Sequence, residues 1–124
     1  EIDIEFVGND TTILDMTFYT DGKGYDPGKV KLGFDAAEEW HVYGFEWTPE
    51  SIVWLVDGKE VGRATAKLGP IPSVPGEIMT NVWATQNADG WAGPFEYSKP
   101  IQAHYDWMKW TPLADMKSVP RATK

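Results

Sequence analysis

Glu1-Ile2-Asp3-Ile4-Glu5-Phe6-Val7 alternates acidic and apolar residues with a period of two. That period is the signature of a β-strand with one polar face and one buried face. Gly8-Asn9-Asp10 breaks it, and Ile13 to Thr20 follows as a second strand-like run closed by the turn-rich Asp21-Gly22-Lys23-Gly24. Tyr25-Asp26-Pro27-Gly28 reads as loop and Lys29 to Gly33 as a short strand. Trp40 to Trp47 alternates again. Ile52-Val53-Trp54-Leu55-Val56 is an apolar strand, Asp57-Gly58 a hairpin turn, and Glu60 to Thr65 the returning strand. The proline-rich Gly69 to Gly76 segment excludes regular structure. Glu77 to Trp83 and Ile101 to Trp110 read as further strands, separated by a long Trp- and Gly-containing loop, Ala84 to Tyr97. Asp35 to Trp40 has room for one helical turn, and no segment shows sustained helical periodicity. Short strands with turns every 8–12 residues or so predict an all-β fold, an antiparallel sandwich or jelly roll.

The rest of the sequence bounds the function. At 124 residues and 13.9 kDa the chain has the length of one domain. Its formal net charge of −8 repels nucleic acid and anionic lipid, so neither is expected as a partner. No stretch reaches the 18 or so consecutive apolar residues of a membrane-spanning helix. With no cysteine, disulfides, thiolate metal sites and Cys nucleophiles are excluded. Aromatic content is 14%, with seven Trp, more than a small core needs. Flat apolar rings suit the C–H faces of sugars.

Glu1, Asp3 and Glu5 stand at i, i+2 and i+4 and therefore share one strand face. Neighbouring like charges weaken a sheet, and no local cation neutralises them. Residues i and i+4 lie about 13 Å apart along a strand. Side chains leaning inward by about 4 Å each leave roughly 5 Å between the outer carboxyls, the separation a retaining glycosidase needs. On spacing alone two other readings stand: a solvated polar face on an edge strand, and a calcium site, although the Gly and helix context of an EF-type loop is missing.

A wider set of motifs narrows the choice. Glu1 to Phe6 followed by Val7-Gly8-Asn9-Asp10-Thr11-Thr12 resembles the active-site strand of family 16 glycoside hydrolases, most of all its bacterial lichenase branch, the endo-β-1,3-1,4-glucanases. Phe18-Tyr19-Thr20-Asp21-Gly22, Leu32 to Ala36, His41 to Trp47, Trp54 to Gly58, Pro75 to Trp83 and Tyr105 to Trp110 extend the likeness in order along the chain. The resemblance implies a concanavalin-like jelly roll, with 1–111 the C-terminal half of the hydrolase domain and 112–124 a tail. It implies Glu1 as nucleophile, Asp3 as assisting residue and Glu5 as general acid/base of a retaining double displacement on β-1,3-1,4-glucan. It implies substrate contacts at Tyr19, Asn81, Trp83 and Trp91, with core packing the alternative for the two tryptophans. No cofactor is required by that chemistry. A structural calcium at Asp106, completed by ligands from the N-terminal half, is implied as well, with an ordinary sheet-edge Asp as the alternative.

The resemblance further implies a secreted protein whose cleft is completed by the missing N-terminal strands, from a separate chain, a fragment or a swapped dimer. Trp47, Trp54 and Trp107 alternate with apolar strand residues and read as core, while His41 and His104 read as surface or packing residues. Two positions depart from the family pattern. Thr17 stands where an Asn is usual, two residues before the cleft Tyr. Asn87-Ala88-Asp89 before Trp91 is similar to the xyloglucan endotransglycosylases of the same family, which leaves transglycosylation as an alternative to hydrolysis. A non-catalytic, lectin-like sugar-binding module is the third reading; the uncompensated carboxylate triplet argues against it.

Overall fold

Two Asp-Gly pairs set the hairpins. In the computed structural model, which describes residues 1–118, Asp21 and Gly22 have φ of 52° and 75°, and Asp57 and Gly58 have 51° and 74°. Positive φ at both central residues gives the turn handedness that matches strand twist, and Asp-Gly is among the pairs that tolerate it. The first turn joins β2 (Ile13–Thr20) to β3 (Lys23–Lys31), and the second joins β5 (Ser51–Val56) to β6 (Lys59–Thr65). β1 (Ile2–Glu5) and β4 (Tyr43–Trp47) each add an antiparallel edge strand, giving two three-stranded sheets in the orders β1-β2-β3 and β4-β5-β6.

The sheets pack face to face. Leu14, Met16 and Phe18 from β2 meet Ile52, Trp54, Val56 and Ala64, all buried. Ile2 and Ile4 press on this core from β1, so the acidic members of that strand must face away from it. A Cβ at Gly62 would collide with the Met16 side chain, so this glycine is what lets the sheets approach there. This is the sandwich expected from the strand pattern.

Four expectations differ from the structure. β3 begins at Lys23 and runs through Tyr25-Asp26-Pro27-Gly28, which had read as loop. Pro27 is tolerated because β3 is an edge strand, and a bulge opposite Thr17 absorbs one extra residue. Glu77 to Trp83 and Ile101 to Trp110 form no strand. A period-two pattern becomes a strand only when a neighbouring ladder satisfies its backbone, and among the described residues neither segment has one. Trp107 is accordingly 59% exposed rather than core, whereas Trp54 is fully buried and Trp47 half-buried, its indole donating to the Pro72 carbonyl at 2.8 Å. His41 is a packing residue, stacked on Phe34 with ring centroids 3.5 Å apart. A hydrogen-bonded turn rather than a helix follows Asp35, the Glu38 and Glu39 amides donating to its carbonyl. Past the sandwich lie a short helix, α1 (Asp89–Ala92), and a 3-10 turn at Leu113–Ser118. Residues 119–124 of the expected tail lie outside the described residues.

Candidate active site

Register builds the site. Glu5 pairs with Asp15 and Asp3 with Thr17. One step further, the Tyr19 N–H donates to the Glu1 carbonyl at 2.9 Å and the Glu1 nitrogen to the Tyr19 carbonyl at 3.1 Å. Directly paired residues present their side chains on the same face. Glu1, Asp3 and Glu5 therefore stand opposite Tyr19, Thr17 and Asp15 on the face turned away from the core. Asp26 and Lys29 of β3 extend this surface, and Trp83 and Trp91 complete the lining of an open cleft of about 480 Å³.

The hydrogen bonds are specific. The Thr17 hydroxyl lies 3.0 Å from Asp3 Oδ2 and 3.2 Å from Glu5 Oε2, bridging two carboxyls. Asp15 is 4% exposed, and its Oδ2 accepts the Trp91 indole N–H at 2.8 Å and pairs with Lys29 Nζ at 2.9 Å. The Trp91 and Trp83 rings stand 6.1 Å apart, inclined by 37°. Tyr19 lies across Gly24, its cross-strand partner; a Cβ there would come within 2.7 Å of the ring. Gly24 thus gives the cleft tyrosine a floor to rest on.

Five carboxylates and one ammonium line the cleft, and the balance shows in their acidity. Asp3 is pushed up to about 6, chiefly by desolvation and then by the charges of Glu1 and Glu5, against the Thr17 hydrogen bond that lowers it. Glu5 is also raised, first by desolvation and then by Asp15 and Glu1, with Thr17 and Lys29 opposing. Both shifts have the same physical origin, carboxyls crowded together on a partly desolvated face.

The structure brings together Glu1, Asp3, Glu5, Tyr19, Trp83 and Trp91. Asn81 is exposed and outside the cleft lining, its carbonyl accepting the Tyr105 hydroxyl at 3.3 Å. Asp106 is exposed as well. Among the described residues no group of three or more His, Cys, Asp or Glu side chains converges as a metal site. A lone carboxylate falls short of the six to eight oxygens calcium takes, so these residues do not by themselves fit the ion. Asp15, Thr17, Asp26 and Lys29 join the site without any motif. The parity of β2 is the signal for two of them: Asp15, Thr17 and Tyr19 alternate with Leu14, Met16 and Phe18, so they share the face of the cleft tyrosine.

The model of glycosyl hydrolases family 16 matches residues 1–109. The chain belongs to that family. It is 47% identical over 110 residues to a beta-glucanase of Bacillus amyloliquefaciens, covering 89% of this chain and 45% of that protein. It is also 47% identical over 111 residues to the beta-glucanase of Bacillus subtilis (strain 168), again 45% of the relative. Among solved structures, the Bacillus licheniformis beta-glucanase superposes with a TM-score of 0.72 at 46% identity, over 77% of this chain and 43% of that one. A β-1,3-1,4-glucanase (lichenase) derived from a mouse hindgut metagenome gives 0.70 at 47% identity, over 74% and 42%. The chain thus spans less than half the length of these relatives.

Proposed function

We propose that this chain carries the catalytic carboxylates of a retaining endo-β-glucanase acting on mixed-linkage β-1,3-1,4-glucan. The observation that carries the reading is the Glu1/Asp3/Glu5 face, with Glu5 raised, beneath a rim of Tyr19, Trp83 and Trp91. The names of the relatives supply the substrate class. In the first step Glu5 gives its proton to the glycosidic oxygen as the C1–O bond breaks, and the Glu1 carboxylate bonds to C1 from the opposite side. In the second, the Glu5 carboxylate takes a proton from water, the water oxygen bonds to C1, and the ester to Glu1 breaks with its electron pair returning to Glu1. Two inversions retain the β configuration. Asp3, next to Glu1 on the same strand face, orients it between steps.

The remaining wall of the cleft is assigned to the part of the domain that this chain does not span, supplied by further polypeptide or a swapped copy. A calcium bound at Asp106 would need its other ligands from the same source. Secretion follows from the reading, because the polymer lies outside cells. The Asn87-Ala88-Asp89 stretch supports a second reading, in which a sugar hydroxyl instead of water attacks the Glu1 ester.

The test is turnover of barley mixed-linkage β-glucan by the purified protein, with the first-formed product followed by proton NMR. The expected result is a β-anomeric oligosaccharide, with Glu1→Gln and Glu5→Gln both inactive yet still quenching tryptophan fluorescence on substrate binding. An α anomer formed first would refute retention. Undiminished turnover in Glu1→Gln would remove the nucleophile assignment. Products longer than the starting chains would select transglycosylation, and binding without turnover the lectin-like module.

A further inference from the structure

Asp15 is a buried carboxylate that the two-step displacement does not use. It is 4% exposed, and its single oxygen Oδ2 accepts the Trp91 indole N–H and pairs with Lys29 Nζ, at 2.8 and 2.9 Å. It is also the cross-strand partner of Glu5 on one side and of Lys29 on the other. A carboxylate is costly to bury unless it is paired and hydrogen-bonded. Both conditions are met here, by two groups that each belong to the cleft. The Trp91 indole is thus held at its N–H edge while the residue lines the cleft.

We propose that Asp15 is a positioning residue with two tasks: it anchors Trp91 as the sugar platform, and with Lys29 it sets the charge balance felt by Glu5. The proposal rests on the hydrolase reading for its catalytic consequence, but the anchoring stands on geometry alone. Charge-assisted hydrogen bonds of this kind are short and directional, so they fix a platform that a four-residue helix has no means of fixing by itself. Among the described residues, the groups lining the cleft with Glu5 are Glu1 and Asp3 on its own strand, Asp15, Thr17 and Tyr19 on β2, Asp26 and Lys29 on β3, and the uncharged Trp83 and Trp91. Asp15 raises the proton affinity of Glu5 and Lys29 lowers it, so removing each should move Glu5 in opposite directions.

Three variants separate the tasks: Asp15→Asn, Asp15→Ala and Lys29→Met. The readouts are the pH profile of kcat/KM on mixed-linkage β-glucan, the carboxyl carbon-13 titration of Glu5, and exchange of the Trp91 indole proton with solvent. Asp15→Asn keeps an oxygen for the indole but loses the charge. Its basic limb and the Glu5 titration move to lower pH, with a smaller rise in KM than in Asp15→Ala. Lys29→Met leaves the Asp15 charge unopposed, and both readouts move to higher pH. Asp15→Ala removes the anchor, raising KM about tenfold, as expected for a buried hydrogen bond to a charged group, and speeding exchange of the indole proton. Shifts of the same sign in Asp15→Asn and Lys29→Met, or none in either, would overturn the charge task. An indole proton equally protected in Asp15→Ala would overturn the anchoring task. If the unaltered protein turns over no β-glucan, the hydrolase reading fails, while the carbon-13 titration and indole exchange still decide both tasks.

Discussion

The indole N–H of Trp54 donates to the main-chain carbonyl of Asp3 at 2.8 Å. Trp54 is fully buried at the centre of the second sheet, and Asp3 stands in the middle of the carboxylate strand. One hydrogen bond therefore ties the core of one sheet to the strand that bears the three carboxylates on the other. Among the described residues β1 pairs with β2 alone, so this bond and the packing of Ile2 and Ile4 add to that ladder in holding its position. Trp54→Phe keeps an aromatic ring but loses the bond, worth about 1 kcal/mol, and leaves a cavity that adds a comparable cost. The expected loss is about 2 kcal/mol by urea denaturation, with a fall in kcat on β-glucan as β1 loosens. Unchanged stability would mean that β1 does not depend on this contact.

Asp3 sets a pH dependence with a definite sign. Its carboxyl is raised from 3.8 to about 6 in the folded protein, so the folded state holds that proton more tightly than the unfolded chain. The stability this contributes is fully present below about 3.8 and is lost as pH rises through about 6. Glu5, also raised, acts in the same sense. Asp10, Asp35 and Asp57 are lowered by hydrogen bonds to their carboxylates and act oppositely, so the difference between variant and parent is the informative quantity. Asp3→Asn should gain stability relative to the parent as pH rises, and be the more stable protein near pH 7. Urea midpoints across that range check it, and a difference independent of pH would contradict the assignment.

Thr17 shares one hydroxyl hydrogen between two carboxyls, Asp3 at 3.0 Å and Glu5 at 3.2 Å. It lowers the proton affinity of both. Thr17→Val preserves the β-branched shape and removes the donor, so both groups should rise further. In the proposed mechanism Glu5 acts as the acid only when protonated, so the basic limb of kcat/KM should move to higher pH. A limb that stays in place or moves down would show that the hydroxyl donates elsewhere.

The two sheets were legible in the sequence because their signals are local. The alternation of β1, the parity of β2 and the Asp57-Gly58 turn each lie within a few residues. The acidic face could be read from Glu1, Asp3 and Glu5 alone, since a strand puts i, i+2 and i+4 on one side. The bond between Asp15 and Trp91 joins residues 76 apart in sequence, and nothing local announces it. The extension of β3 through Pro27 was hidden for a related reason. Proline breaks a central strand but not an edge one, and a strand's place in the sheet is a tertiary property. Glu77 to Trp83 and Ile101 to Trp110 have strand-like composition without a ladder, which composition cannot reveal.

Gly93 ends the helix that carries Trp91. It follows α1 directly, with φ of 80°, and a Cβ there would lie 2.8 Å from the Asn9 side chain. Only glycine turns the chain at this angle against the loop that follows β1. Gly93→Ala therefore carries both backbone strain and a collision, a cost of more than about 1 kcal/mol. Relief requires the loop to lift, which draws the Trp91 indole away from Asp15. KM for β-glucan should rise, and the Trp91 indole proton should lose protection from solvent. Gly90→Ala is the matched control. It sits within α1, a Cβ there meets nothing within 4 Å, and its φ lies outside the left-handed region. Alanine is favoured over glycine in a helix by up to about 1 kcal/mol, so this variant should be neutral or slightly stabilised with KM unchanged. Equal KM values for the two variants would show that the loop adapts without moving the platform.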